Sequence, residues 1–296
     1  TMTTTTGTVL IGYAAGDAIN STDSNGTVAI GYSAGSALTE GQYNVLIGYE
    51  AGSTITTSDR NVAIGYQALH DLSNTGAQKN IVIGWKAGLG GSGDMSDNVA
   101  IGDNAMDGTG TLDALSNIFI GRDAGGGTWT TAASSYNVGI GNYVMDAAMD
   151  GALYNTGVGY GALTSLTTGD KNSAYGRYAG ATITTGAENT TLGYHAGYVL
   201  NSGSYNVFVG SDVAISTIGS SYNNIIGRRA GYSLKTGDYN VALGSAALYS
   251  NAAGAASVAL GQSSGYSFTG GGGVFVGYEA GHGVASGDVV FIGYQS

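Results

Sequence analysis

Apolar residues return two positions apart throughout this chain, and each such pair ends at a glycine: Val45 and Ile47 before Gly48, Val62 and Ile64 before Gly65, Val241 and Leu243 before Gly244. A two-residue period marks a short strand with one face turned inward. It predicts the Val and Ile positions inside, and places the variable residue between them (Leu46, Ala63, Phe119, Thr191) on the outer or interface side. Three residues past the glycine, alanine stands in thirteen of the sixteen complete copies, such as Ala51, Ala68 and Ala87, which predicts a cramped interior. Seven past it an apolar residue returns in ten copies, among them Ile19, Leu38, Ile55, Leu166 and Leu200. Ten past it a second glycine is frequent (Gly41, Gly169, Gly186). Each copy therefore reads as two short strands and two corners.

Aligned on the first glycine, the copies run from Gly12, Gly31 and Gly48 to Gly277 and Gly293, seventeen in all, with spacings of 16 to 20 residues. Repeats this short that cover a whole chain indicate a solenoid in which each coil contacts only its neighbours. The expectation is an all-β protein: a β-solenoid or β-roll of about 17 coils with a repeat of about 17 residues, forming a single domain over residues 1–296. Coils over 84–159 are irregular and longer, and are expected to carry loops; those over 159–261 hold a spacing of 17 without a slip. At ~4.8 Å per coil, seventeen coils would give a rod roughly 80 Å long.

Composition fits this picture. There are 54 glycines and no proline, as expected where nearly every residue with an N–H can donate to a neighbouring coil. With 20 acidic and 9 basic residues the net charge is −11, which would repel nucleic acid and anionic membranes, and no apolar stretch predicts membrane insertion. The absence of cysteine excludes disulfides and thiolate metal sites.

Two polar and aromatic columns stand out. Asparagine precedes the strand in twelve coils: Asn44, Asn61, Asn80, Asn98, Asn117, Asn137, Asn155, Asn172, Asn189, Asn206, Asn223 and Asn240. Stacked at a fixed period, such side chains bond to the ones above and below, so a structural ladder is expected rather than a row of ligand-binding amides. Tyrosine follows the corner glycine at Tyr13, Tyr32, Tyr49 and Tyr66, with Trp85 in register, and precedes the asparagine at Tyr43, Tyr136, Tyr154, Tyr205, Tyr222 and Tyr239. Long exposed aromatic stripes on a lone rod exceed what soluble monomers usually carry, so association with further copies of the chain is expected; the same stripes could stack on sugar rings.

The segments NVAIGYQAL (61–69), NIFIGRDAG (117–125) and NVALGSAAL (240–248) resemble the N-x-A-I-G repeats of trimeric autotransporter adhesin heads and, still more closely, the G-Y-x-A-L repeats of tail-fibre-like proteins of bacteriophages. The resemblance implies three parallel chains, each a left-handed β-roll, in a fibre or head that is extracellular or on the virion surface and touches a host surface. The repeat here is longer than the usual adhesin-head repeat, and no coiled-coil stalk or membrane anchor is visible. The expected partners are the chain itself, as a homotrimer or a head-to-tail filament, and a cell-surface glycan. The chain stops three residues past the corner Gly293, and the expectation is that another chain or a further segment covers that edge.

No catalytic, cofactor or metal residues are predicted. GLGGSG (88–93) fits a dinucleotide-binding pattern, but it lies at a repeat corner rather than between a strand and a helix. His70, His195 and His282 fall in separate coils and are expected to be exposed. Asp94, Asp97, Asp103, Asp107 and Asp113 crowd two irregular coils without the spacing of a calcium loop and are expected to be solvated. Outward pairs such as Thr54/Thr56 and Thr182/Thr184 raise an ice-binding alternative, although the pairs skip coils. The candidate ligand contacts are Trp85, Trp129 and Tyr143, the last two in the loops expected on the irregular coils.

Overall fold

The computed structural model describes residues 6–19, 24–72, 77–90 and 93–296. Among these residues the protein is all-β with no α-helix, a parallel β-solenoid of about 17 turns. No helix among them is long and apolar enough to cross a membrane. The chain divides into two compact units, Thr1–Tyr154 and Asn155–Ser296.

In the first unit the strands are β1 (Val9–Ile11), β2 (Val28–Ile30), β3 (Val45–Ile47), β4 (Val62–Ile64), β5 (Ile81–Ile83), β6 (Met95–Ser96), β7 (Val99–Ile101), β8 (Ala114–Leu115), β9 (Ile118–Ile120) and β10 (Val138–Ile140). β1 to β5 pair in succession, then β5 with β7, β7 with β9 and β9 with β10, all parallel and with equivalent residues opposite each other, as in Val45↔Val62 and Ile47↔Ile64. The second unit stacks nine strands the same way, from Thr156–Val158 to Val290–Ile292.

Each coil has one three-residue strand, not two. The second side, predicted as a strand, folds as turns: Leu38 N–H donates to Gly35 O and Ile55 N–H to Gly52 O, closing tight turns. These turns follow from positive φ at two nearby positions, such as Glu50 at 55° and Gly52 at 57°. A second strand forms only where coils are longer, as β6 paired with β8 and as a bridge between Ser135 and Leu153. The added residues of the irregular coils thus widen the coil instead of leaving it as loops.

The corner glycine is required by stacking. Gly48 has φ of 137°, and a Cβ placed on it would lie 2.3 Å from the carbonyl oxygen of Gly65 in the next coil. Coils can approach to strand-pairing distance at this corner only if it carries no side chain.

The phase of the strand is the reverse of the prediction. In β3 the middle residue Leu46 is fully buried while Val45 and Ile47 lie at the surface, and the same holds for Ala63 in β4, Val82 in β5 and Phe119 in β9. The interior of each coil is closed by that middle residue, the alanine three past the corner (Ala51, Ala68) and the apolar residue seven past it (Leu38, Ile55, Leu72), all buried. A three-residue strand can present only one residue to its own coil if the middle one points inward, and the two flanking residues then face away.

Candidate functional surfaces

The asparagine column is an internal ladder. All twelve asparagines are buried. Within the ladder a side-chain oxygen accepts from the next asparagine's backbone N–H and side-chain amide, as when Asn61 N and Nδ2 reach Asn44 Oδ1 at 3.0 and 3.3 Å. The amide also donates to a carbonyl of a following coil, for example Asn206 Nδ2 to Ser220 O at 2.8 Å. The ladder runs from Asn44 to Asn137 in the first unit and from Asn155 to Asn240 in the second, where Ser257 N–H ends it on Asn240 Oδ1. These amides are saturated inside the coil and are not open to a ligand.

The outward face of the strands is apolar. The residue just before the corner glycine is apolar in every coil: Ile in most of the first unit, and Val158, Tyr175, Leu192, Val209, Ile226, Leu243, Leu260, Val276 and Ile292 in the second. Several are well exposed, Leu192 at 47% and Leu243 at 51%. The buried middle residue varies from Gly139 and Ala174 to Phe208. The outer row is therefore more uniformly aliphatic than the coil's own interior. The three positions of a strand span ~10 Å, and eight or nine strands at ~4.8 Å give each unit a face of about 400 Å².

Beside this face, Tyr13, Tyr32, Tyr49, Tyr66 and Trp85 form one continuous stack, with centroids 5.1 to 6.1 Å apart and planes within 14° of parallel. Two more ladders stand in the second unit: Tyr205–Tyr222–Tyr239, and Tyr232–Tyr249–Tyr266 ending on His282. An inner ring of such a ladder has a neighbouring ring on each face. A sugar ring finds its edges and hydroxyls there, not an open face.

Of the three candidate ligand contacts, Trp85 is exposed, stacked on Tyr66 and overlain by the Lys86 ammonium at 4.7 Å. Trp129 is buried, with 2% of its surface exposed, so it is no surface contact. It sits in the longer coils with Met95 and Met149, both buried, and these large side chains help fill the interior there. Tyr143 is partly covered: the Arg122 guanidinium lies 4.9 Å above its ring and donates to its hydroxyl.

The histidines are engaged rather than bare. His70 sits between Glu50 and Asp71, His195 stacks on Tyr194 near Asp212, and His282 caps the Tyr266 ladder. Asp94, Asp97 and Asp113 are tied into local bonds: Asp113 accepts from Asp94 N–H, Asp94 accepts from Ser96, and Asp97 faces Lys79. No group of three or more acidic or histidine side chains among the described residues is arranged to hold a metal ion. Of GLGGSG, positions 91 and 92 lie outside the described residues. Several of the outward threonine hydroxyls donate to the next coil's backbone, Thr182 to Tyr198 O at 2.9 Å, Thr184 to Asn201 O at 3.3 Å and Thr167 to Thr184 O at 3.0 Å.

Asp107, expected to be solvated, is instead half-buried in an acidic trio that the sequence reading did not assemble. A Cβ on Gly126 would lie 3.3 Å from Oδ1 of both Asp107 and Asp146, which places these carboxylates close together beside Asp123. Burial, reinforced by the charge of Asp123, raises Asp107 to about 6; burial and the charges of Asp123 and Asp107 raise Asp146 to about 6. Asp107 and Asp146 stand at the same position of their coils, five past Gly102 and Gly141, with Gly126 in that register between them, while Asp123 stands two past Gly121.

Compared with known proteins, the chain matches no family model, no curated protein and no solved structure.

Proposed function

We propose that this chain is a structural shaft whose copies associate side by side through the outward sheet face, as a segment of an extracellular or virion-borne fibre of the bacteriophage tail-fibre kind. The observation that carries this reading is the apolar row before the corner glycine, uniform where the coil's own interior is not. A row that faces away from its own core and keeps an aliphatic side chain in sixteen of the seventeen coils, Tyr175 being the exception, fits a partner surface. The face of one unit, about 400 Å², is about half the share that one partner brings to a standard interface. Three copies is the number implied by the resemblance of the repeat. A host-surface glycan would meet the hydroxyl edges of the tyrosine ladders through hydrogen bonds, and weakly. An ice-binding role is less well supported, because several of the threonine hydroxyls are already bonded to backbone.

The chain has no cysteine, so a single Leu243→Cys substitution takes a spin label at one place only. The expected result is a short, well-defined distance between labels on different chains. Labels that report no neighbour at any protein concentration would refute association through this face.

A further inference from the structure

Tyr205, Tyr222 and Tyr239 each precede a ladder asparagine, and each has φ of 59° to 60°, so the three side chains leave the backbone in the same direction. Their rings stack with centroids 4.9 and 5.1 Å apart and planes 8° and 6° from parallel. All three are exposed, at 47%, 47% and 61%. Phenols held in register at this distance, and open to solvent, meet the geometric requirement for oxidative coupling.

We propose that this ladder is a covalent modification site, at which an oxidant of the peroxide class acting through a one-electron peroxidase joins neighbouring tyrosines and staples successive coils. Each of two phenols loses one electron and its hydroxyl proton, giving two phenoxyl radicals. The radicals join through ring carbons ortho to oxygen. The hydrogens on those carbons then move to oxygen and restore both phenols. The net change is the loss of two hydrogen atoms from the protein while one peroxide is reduced to two waters. Because the coils hold the rings together, the reaction is effectively unimolecular and should outrun coupling between separate chains. The inference depends on the ladder alone and not on how copies of the chain associate.

The chain carries its own control. Tyr43 occupies the same register and is exposed, but Gly26 and Arg60 stand in the coils on either side of it. The test treats an equal mixture of isotope-labelled and unlabelled full-length protein with hydrogen peroxide and a haem peroxidase. Cleavage before Asp212 and Asp238 then places the three ladder tyrosines on separate peptides. The expected products are 205–222 and 222–239 links whose two halves carry the same isotope, at least ~10-fold more abundant than in the chain oxidised in denaturant. Tyr222→Phe, which keeps the ring, should abolish both links, since Tyr205 and Tyr239 lie two coils or ~10 Å apart; Tyr43→Phe should leave both unchanged. Links absent from the folded protein, equally frequent in denaturant, or joining labelled to unlabelled halves would overturn the proposal.

Discussion

The two faces of a single strand differ in what they need. In the strand Val207–Val209, Phe208 points into the coil and is fully buried, while Val207 and Val209 point away. Inward positions tolerate anything from glycine to phenylalanine, because each coil adjusts its interior with residues on its other sides. Outward positions before the corner stay large, and aliphatic in every coil except the one with Tyr175. The inner face holds the coil together, and the outer face is built for something beyond it.

The contrast is sharpest under truncation. Phe208→Ala should destabilise the second unit by about 3–5 kcal/mol, read as a lower urea midpoint, because it leaves a cavity between Thr191 and Ile225, its buried partners on the neighbouring strands. Asn206→Ala should follow. It removes the acceptor for Asn223 N–H and Nδ2 and the donor to Asn189 and Ser220, and each buried group left unpartnered costs about 1–3 kcal/mol. Leu243→Lys, on the outward row, should change the stability of the separate chain by no more than about 0.5 kcal/mol while reducing association. A loss of several kcal/mol in the dilute, dissociated protein would contradict the outward placement of this row.

Carboxylates show the same contrast more weakly. Asp107 and Asp146, half-buried, prefer to be protonated in the folded state, so their contribution favours folding at low pH and is lost as pH rises from about 4 through about 6. Asp150 is the opposite case: hydrogen bonds from Thr131, then Ala132, lower it to about 2, so its contribution is present above about 4 and lost as pH falls toward 2. The melting temperature of Asp107→Asn should fall less than that of wild type between pH 4 and pH 7. Asp150→Asn should flatten the decline below pH 4. Parallel profiles for both variants and wild type would remove these assignments.

Features that repeat in every coil were legible in the sequence. The corner glycines, the small alanine and the asparagine ladder each answer to stacking at a fixed period, and stacking is what a repeat encodes. The phase of the strand was not legible, because Val45, Leu46 and Ile47 are all apolar and alternation reads the same from either face. The uneven size of the middle residue was the available signal, since coils of different bulk can share one interior. Trp129 was misplaced for a related reason: counting added residues does not reveal whether a coil bulges or widens. Widening was the outcome, and the large side chains of Trp129 and Met149 occupy the space it made. The acidic trio had a readable signal, since Asp107 and Asp146 share one register five past the corner glycine, but its burial did not show in the sequence.

The central claim, that the outward row joins copies of the chain, is tested most directly by the mass of the intact protein in solution. Sedimentation equilibrium over a wide concentration range should give an assembly of three chains of 29.5 kDa each, shifted toward the single chain by Ile226→Lys together with Leu243→Lys. A species that stays at 29.5 kDa at every concentration, for wild type as for the variant, would contradict the account.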